Sequence, residues 1–166
     1  MSVMRVLGVD PGFGRTGLGV IDLQKGEPVH VWHSCIDTPA DESFTDRLKA
    51  VRNDLTEAVR RFEPQVACVE ALFFQTNAKT AMKVGMARGV ILLALADLDL
   101  PIVEVTPNQV KQGIAGYGGA DKRQVGDMVA RLLKLSEVPK PDDAADALAL
   151  AIVGAYVYRS GLQRAS

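Results

Sequence analysis

Short apolar runs alternate along this chain with longer stretches in which apolar residues recur every three or four positions. The first run, Arg5-Val6-Leu7-Gly8-Val9, ends on Asp10-Pro11-Gly12, and Gly17-Leu18-Gly19-Val20-Ile21-Asp22 follows after a few residues. Pro and Gly punctuate strands, so the pair predicts a β-hairpin that opens a sheet. Residues 29–36 predict a third strand. His30 and His33 lie three apart there, which in a regular strand sends them to opposite faces. Both are assigned to structure.

Phe44, Leu48, Val51, Leu55, Val59 and Phe62 then recur at helical spacing up to Pro64. They predict an amphipathic helix with one stripe on the sheet and Arg47, Lys49, Arg52, Arg60 and Arg61 on its solvated face. Val66-Ala67-Cys68-Val69-Glu70 is a second apolar strand that ends on a carboxylate. A long helix is predicted from 76 to about 98, with Ala78, Ala81, Gly85 and Gly89 along one side. Each Gly costs a helix roughly 1 kcal/mol, so close approach of another backbone is the natural reason for two of them. That backbone belongs either to this chain or to a second subunit.

Residues 102–105 predict another strand. Thr106-Pro107-Asn108-Gln109 has the N-cap, first-turn Pro and third-position Gln of a capping box. A helix through Val125, Val129 and Leu132 follows. The last begins at Asp142-Asp143-Ala144-Ala145-Asp146 and carries the stripe Ala144, Ala147, Leu148, Ala151, Ile152, Ala155. Strands joined by helices predict an α/β fold with a mixed sheet. The length of 166 residues predicts a single domain over 1–166, with disorder expected from about residue 158.

Composition narrows the picture in two places. The net charge of −1 gives no global attraction for nucleic acid, so DNA binding has to use a local basic surface or masked carboxylates. Cys35 and Cys68 sit in apolar runs without metal-finger spacing and read as reduced, small hydrophobes. The longest apolar run, 90–96, is too short to span a bilayer, and the first residues carry no secretory h-region. A cytoplasmic protein is expected.

The candidate chemistry lies in the acids. A carboxylate at the end of a buried strand is costly without a cation or hydrogen bonds. Asp10 read alone is either a metal anchor or the start of an Asx-type turn. Glu70 repeats the arrangement. Asp143 and Asp146 lie three apart beside the alanine stripe, and three acids in five residues exceed what capping a helix needs. If Asp10, Glu70, Asp143 and Asp146 converge, an all-oxygen site without His or Cys suits Mg²⁺ or Mn²⁺. Two ions about 3.5–4 Å apart suit phosphoryl transfer. Lys79 and Lys83 share a helix face fit for phosphate or for solvent. Lys122-Arg123 follow the loop Gly116-Tyr117-Gly118-Gly119, which either lets backbone approach a phosphate or is a plain turn. Of the adjacent Phe73 and Phe74, one is free to stack on bases, or both bury under a loop.

Four segments, in order, resemble the RuvC-type Holliday-junction resolvases of bacteria: Gly8-Val9-Asp10-Pro11-Gly12, Val69-Glu70-Ala71-Leu72-Phe73, Gln109-Val110-Lys111-Gln112 and Asp143-Ala144-Ala145-Asp146-Ala147-Leu148-Ala149. The resemblance runs from about residue 5 to about 157. It implies an RNase H-like fold, a mixed five-stranded sheet flanked by helices. It also implies a homodimer whose two sites make paired, symmetric nicks across a four-way DNA junction, leaving 5′-phosphate and 3′-hydroxyl ends. Asp10, Glu70, Asp143 and Asp146 match the family's catalytic and metal-binding acids, with two Mg²⁺ per site and Mn²⁺ as substitute. Phe73 matches an aromatic near the junction core. Lys111 and Lys122 match DNA contacts, with Lys79, Lys83 and Arg123 extending that surface. The family works with a junction-binding protein and a branch-migration ATPase. Asp142 departs from the pattern by adding an acid before Asp143. The rival readings are a nucleotide-binding ATPase or kinase built on the same hairpin, an RNase H-like nuclease acting on RNA, and a non-catalytic junction-binding module.

Overall fold

The computed structural model describes residues 2–71 and 77–165. Five strands form one sheet: β1 (Met4–Asp10), β2 (Arg15–Gln24), β3 (Glu27–Asp37), β4 (Val66–Glu70) and β5 (Ile102–Val105). Their order is β3-β2-β1-β4-β5. The first three make an antiparallel meander, whereas β4 and β5 run parallel to β1. Parallel neighbours need crossovers, and α1 (Phe44–Phe62) and α2 (Ala78–Asp97) supply them. The chain then continues through α3 (Pro107–Ala115), α4 (Lys122–Leu132) and α5 (Asp142–Ala165). Helix α5 runs on through the segment expected to be a disordered tail. No helix among the described residues is long and apolar enough to cross a membrane.

Both faces of the sheet are covered, so the central strands read as unbroken apolar runs rather than as alternations. The period of two is still present beneath them. Val6, Val66 and Cys68 pack with α3, α4 and α5, and Leu7, Val9, Ala67 and Val69 pack with α1 and α2. Asp10 and Glu70 belong to the first set by alternation, and therefore face α5.

Small residues bring that helix close. Ala144, Ala147, Ala151 and Ala155 on α5 are fully buried. Opposite them the strands present glycine. A methyl group at Gly8 would overlap the Ala147 carbonyl oxygen, one at Gly17 the Asp143 carbonyl oxygen, and one at Gly19 would lie 2.7 Å from the Leu148 nitrogen. The backbone of α5 therefore rests directly on β1 and β2.

Two expectations are corrected. His30 and His33 do not point apart: His30 Nε2 and His33 Nδ1 are 2.8 Å from each other. The register slips between Val20 and Ile21, where Val20 pairs with Trp32 and Ile21 with His30. Val31 is the extra residue of a bulge, and the bulge brings residues three apart onto one face. Arg47 is buried rather than solvated. Its guanidinium lies 4.5 Å from the centre of the Phe13 ring and its Nε donates to Thr38 Oγ1 at 3.2 Å.

Gly8→Ala is expected to destabilise the protein by about 1–3 kcal/mol, because α5 has to retreat from β1. Gly161→Ala, on an open part of the same helix with nothing within 4 Å of the new methyl, should gain up to about 1 kcal/mol. Thermal melts of both variants check the contrast.

Candidate active site

Val9 of β1 and Val69 of β4 pair in parallel register, so Asp10 and Glu70 end neighbouring strands side by side. Gly17 stands opposite Asp10 on β2, and its bare Cα receives the Asp143 carbonyl at the start of α5. That contact fixes the first turn of α5 over the strand ends. Asp143 and Asp146, three apart, project from this turn toward Asp10. The four sequence-predicted acids thus lie near enough, from three elements, for the other three to act on the charge of Asp10.

Their charges oppose one another. Burial pushes the Asp10 carboxyl up to about 8, and Glu70, Asp146 and Asp143 push in the same direction. Glu70 is raised by burial and then by Asp146, while its hydrogen bond with Asp10 offsets part of the rise. A raised Asp10 holds its proton and donates it to the Glu70 carboxylate. Asp146 is raised chiefly by burial, against the lowering effect of Lys122. Asp22, on the same hairpin, shows what a settled buried acid looks like. It is gripped by Arg5 at 2.8 and 2.9 Å, a bidentate pair across the strands. Asp10 has no such arginine among the described residues.

The cation nearest the acids is Lys122, whose Nζ lies 3.1 Å from Asp146 Oδ2. Its placement follows from local sequence. Asp121 caps α4, accepting from the Gln124 nitrogen at 2.8 Å while Gln124 accepts from the Asp121 nitrogen at 2.9 Å. This reciprocal box makes Lys122 the first residue of the helix and aims it across at α5. The capping box at Thr106 and Gln109 likewise starts α3, which carries Lys111. Lys111 joins Glu70, Lys122 and Asp146 around a cleft of about 290 Å³.

The other cations stand further out. Lys83 lies over the Phe13 ring at 4.7 Å, beside the loop that follows Asp10. The Lys79 side chain is exposed at the start of α2, and that of Arg123 is 91% exposed. Asp142 is the first helical residue of α5, and it lines a neighbouring cleft with Lys122 and Asp146. Phe73 falls outside the described residues. Sequence reasoning missed Arg88. Its side chain is largely buried, donates from Nε to the Glu70 carbonyl oxygen at 3.1 Å and pairs with Glu104 at 3.0 Å. It thereby holds the end of β4 against β5 and α2. An arginine inside an otherwise apolar helix, Met86 to Ala96, was the available signal.

An all-carboxylate set that is half-buried and mutually repelling fits a hard divalent cation, which relieves the repulsion and accepts oxygen donors. Among the described residues no three such side chains close on one point.

Comparison with known proteins adds an independent line. A family model described as crossover junction endodeoxyribonuclease RuvC matches residues 6–154. The protein of that name from Chloroflexus aggregans is 50% identical over 153 residues, 92% of this chain and 93% of the relative. That from Thermotoga petrophila is 48% identical over 148 residues, 89% and 90% of the two chains. Thermus thermophilus RuvC, solved in complex with a Holliday-junction substrate, superposes with a TM-score of 0.90 at 36% identity over 95% of this chain and 96% of its own. A yeast mitochondrial Holliday-junction resolvase, at 15% identity over 90% and 77% of the two chains, shares the fold with a TM-score of 0.67. The mixed sheet and its flanking helices are those of the RNase H-like resolvases. With half-buried acids at its strand ends and the family match along almost its whole length, the chain belongs to the RuvC family of crossover junction endodeoxyribonucleases, metal-dependent nucleases.

Proposed function

We infer that this protein resolves four-way DNA junctions by paired nicks, acting in DNA recombination and repair. The observation that carries the reading is the convergence of Asp10, Glu70, Asp143 and Asp146 in a chain about half identical to named junction endonucleases. Neither the RNA-directed nor the non-catalytic alternative has a comparable observation behind it. Asp10, Glu70, Asp143 and Asp146 are the residues that would hold divalent ions, two Mg²⁺ per site with Mn²⁺ as substitute. Asp143 is favoured over Asp142 as a ligand because its charge acts on Asp10, whereas Asp142 lines the adjacent cleft. When bound, such ions supply the positive charge that lowers the pKa of water and steadies the leaving oxygen.

The chain's own residues do the rest. Lys111 and Lys122 flank the acids and attract the scissile phosphate, a role open to the Lys122 side chain because it is 62% exposed. The carboxylates take the proton of the attacking water. Its oxygen forms a bond to phosphorus as the bond from phosphorus to the 3′ oxygen breaks, and the leaving 3′ oxygen takes up a proton from solvent water. A 5′-phosphate and a 3′-hydroxyl remain. Lys79, Lys83 and Arg123 continue the basic surface outward, and Phe73 is assigned to the junction core.

Two symmetric nicks require two sites, and α2 offers the pairing surface. Met82, Met86 and Leu93 are exposed on it at 62%, 48% and 63%, and Gly89 has nothing within 4 Å of the position of a Cβ. An apolar, glycine-notched helix face of this kind fits a second copy of itself, and a homodimer is the assembly proposed. A junction-binding protein and a branch-migration ATPase are the partners proposed, in the cytoplasm.

The deciding experiment compares a labelled synthetic four-way junction with a linear duplex and an RNA–DNA hybrid, in Mg²⁺, Mn²⁺ and chelator. Paired, metal-dependent nicks in opposite strands of the junction are expected. Preference for the hybrid, or no cutting, would overturn the reading. Asp10→Asn should abolish cleavage and retain junction binding. It should also stabilise the metal-free protein. The folded state keeps the Asp10 proton up to about pH 8, while an unfolded chain releases it near the ordinary value of 3.8. Stability therefore falls as pH rises through that window, and the asparagine removes the loss. In chelator at pH 8 the variant should melt at least about 2–4 °C higher, the shift for roughly 1 kcal/mol at this size, with the gap closing toward pH 4. Met86→Glu should move the protein from dimer to monomer in sedimentation velocity without lowering its melting temperature.

A further inference from the structure

A second cleft, of about 440 Å³, lies on the far side of Asp146 from Glu70, between α4 and the turn that leads into α5. Lys122 and Asp146 line both clefts, so their ion pair is a shared wall. The two clefts thus lie on either side of that pair, beside the acids. The size falls within the range of roughly 300–1,000 Å³ typical of ligand sites. Its lining is of mixed character. Val138 and the buried Pro139 are apolar, and Arg123 and Lys140 are cationic. Arg123 leans toward Asp127, at 4.0 Å. Lys140 is exposed and makes no ion pair among the described residues. An apolar wall beside an uncompensated ammonium matches the sugar and base of a nucleotide beside its phosphate.

Resting on the junction-cutting reading, we propose that this cleft is a subsite for the nucleotide next to the scissile phosphate. Lys140 holds that nucleotide's outer phosphate, and Val138 and Pro139 pack against its sugar and base. The strand enters over Lys111, presents its reacting phosphate to the acids, and leaves past Lys140. Asp127 and Asp142, which also line the cleft, turn phosphate away from their side and accept hydrogen bonds from base amino groups. The position of the strand is thereby set on both sides of the bond that breaks.

The test is junction binding by the full chain in chelator, across a salt series. Lys140→Ala is expected to weaken binding roughly three- to tenfold near 0.1 M salt and to reduce the log–log salt slope by about 0.9, one phosphate contact. Lys140→Arg should restore both, and Arg60→Ala, on the exposed face of α1, should match the wild type. A set of junctions, each with one uncharged methylphosphonate near the cleavage site, then locates the contact. One substitution within two nucleotides of the scissile phosphate should weaken the wild type and leave Lys140→Ala unaffected. Wild-type affinity and slope in Lys140→Ala would overturn the subsite, as would a loss that no nearby phosphate accounts for. A wild-type protein that neither binds nor cuts the junction would overturn the functional reading, and the subsite with it.

Discussion

The bare contact between the α5 backbone and the glycines of β1 and β2 is the constraint on which the other features depend. At Gly8 and Gly17 there is no room for even a methyl group. The distance between sheet and helix is therefore set by backbone atoms, which cannot rotate away as side chains can. The two acids of α5 take their height above the strand ends from this contact. The alanines of α5 make the same demand from the other side. Glycine weakens strands and alanine buries little apolar area, so both choices sacrifice stability that larger side chains would provide. What they secure is a fixed separation between the backbones that carry the carboxylates.

The same closeness makes the metal-free site a source of instability. Asp10, Glu70 and Asp146 all have raised pKa values, each chiefly through burial. The molecule meets this with two provisional devices, a proton shared between Asp10 and Glu70 and the ammonium of Lys122 on Asp146. Neither grips its acid at two points as Arg5 grips Asp22. Raised carboxylate pKa values of this kind cluster at functional sites.

Much of this was legible in the residues. Asp10 and Glu70 end apolar runs, and strand ends are where open α/β sheets gather their chemistry. The alanine stripe of α5 marked its buried face and placed Asp143 and Asp146 beside it. Thr106 and Gln109 declared a helix start, and the structure has it. What escaped the sequence depended on contacts between distant segments. The His30–His33 pair needs a bulge that no single strand reveals. Arg47 is held under Phe13 from another element, and basic residues on an amphipathic helix ordinarily face water. Arg88 and the Lys122–Asp146 pair are likewise products of packing. The rule that failed in each case was local, and the interaction that overrode it was tertiary.

Asp10 and Glu70 end strands of the sheet, whereas Asp143 and Asp146 stand on the first turn of the helix packed over it. The two pairs feel one another's charge only across the contact between that turn and Gly17. Anything that lifts the start of α5 from β2 therefore separates the pairs, and part of the repulsion that raises Asp10 relaxes with it.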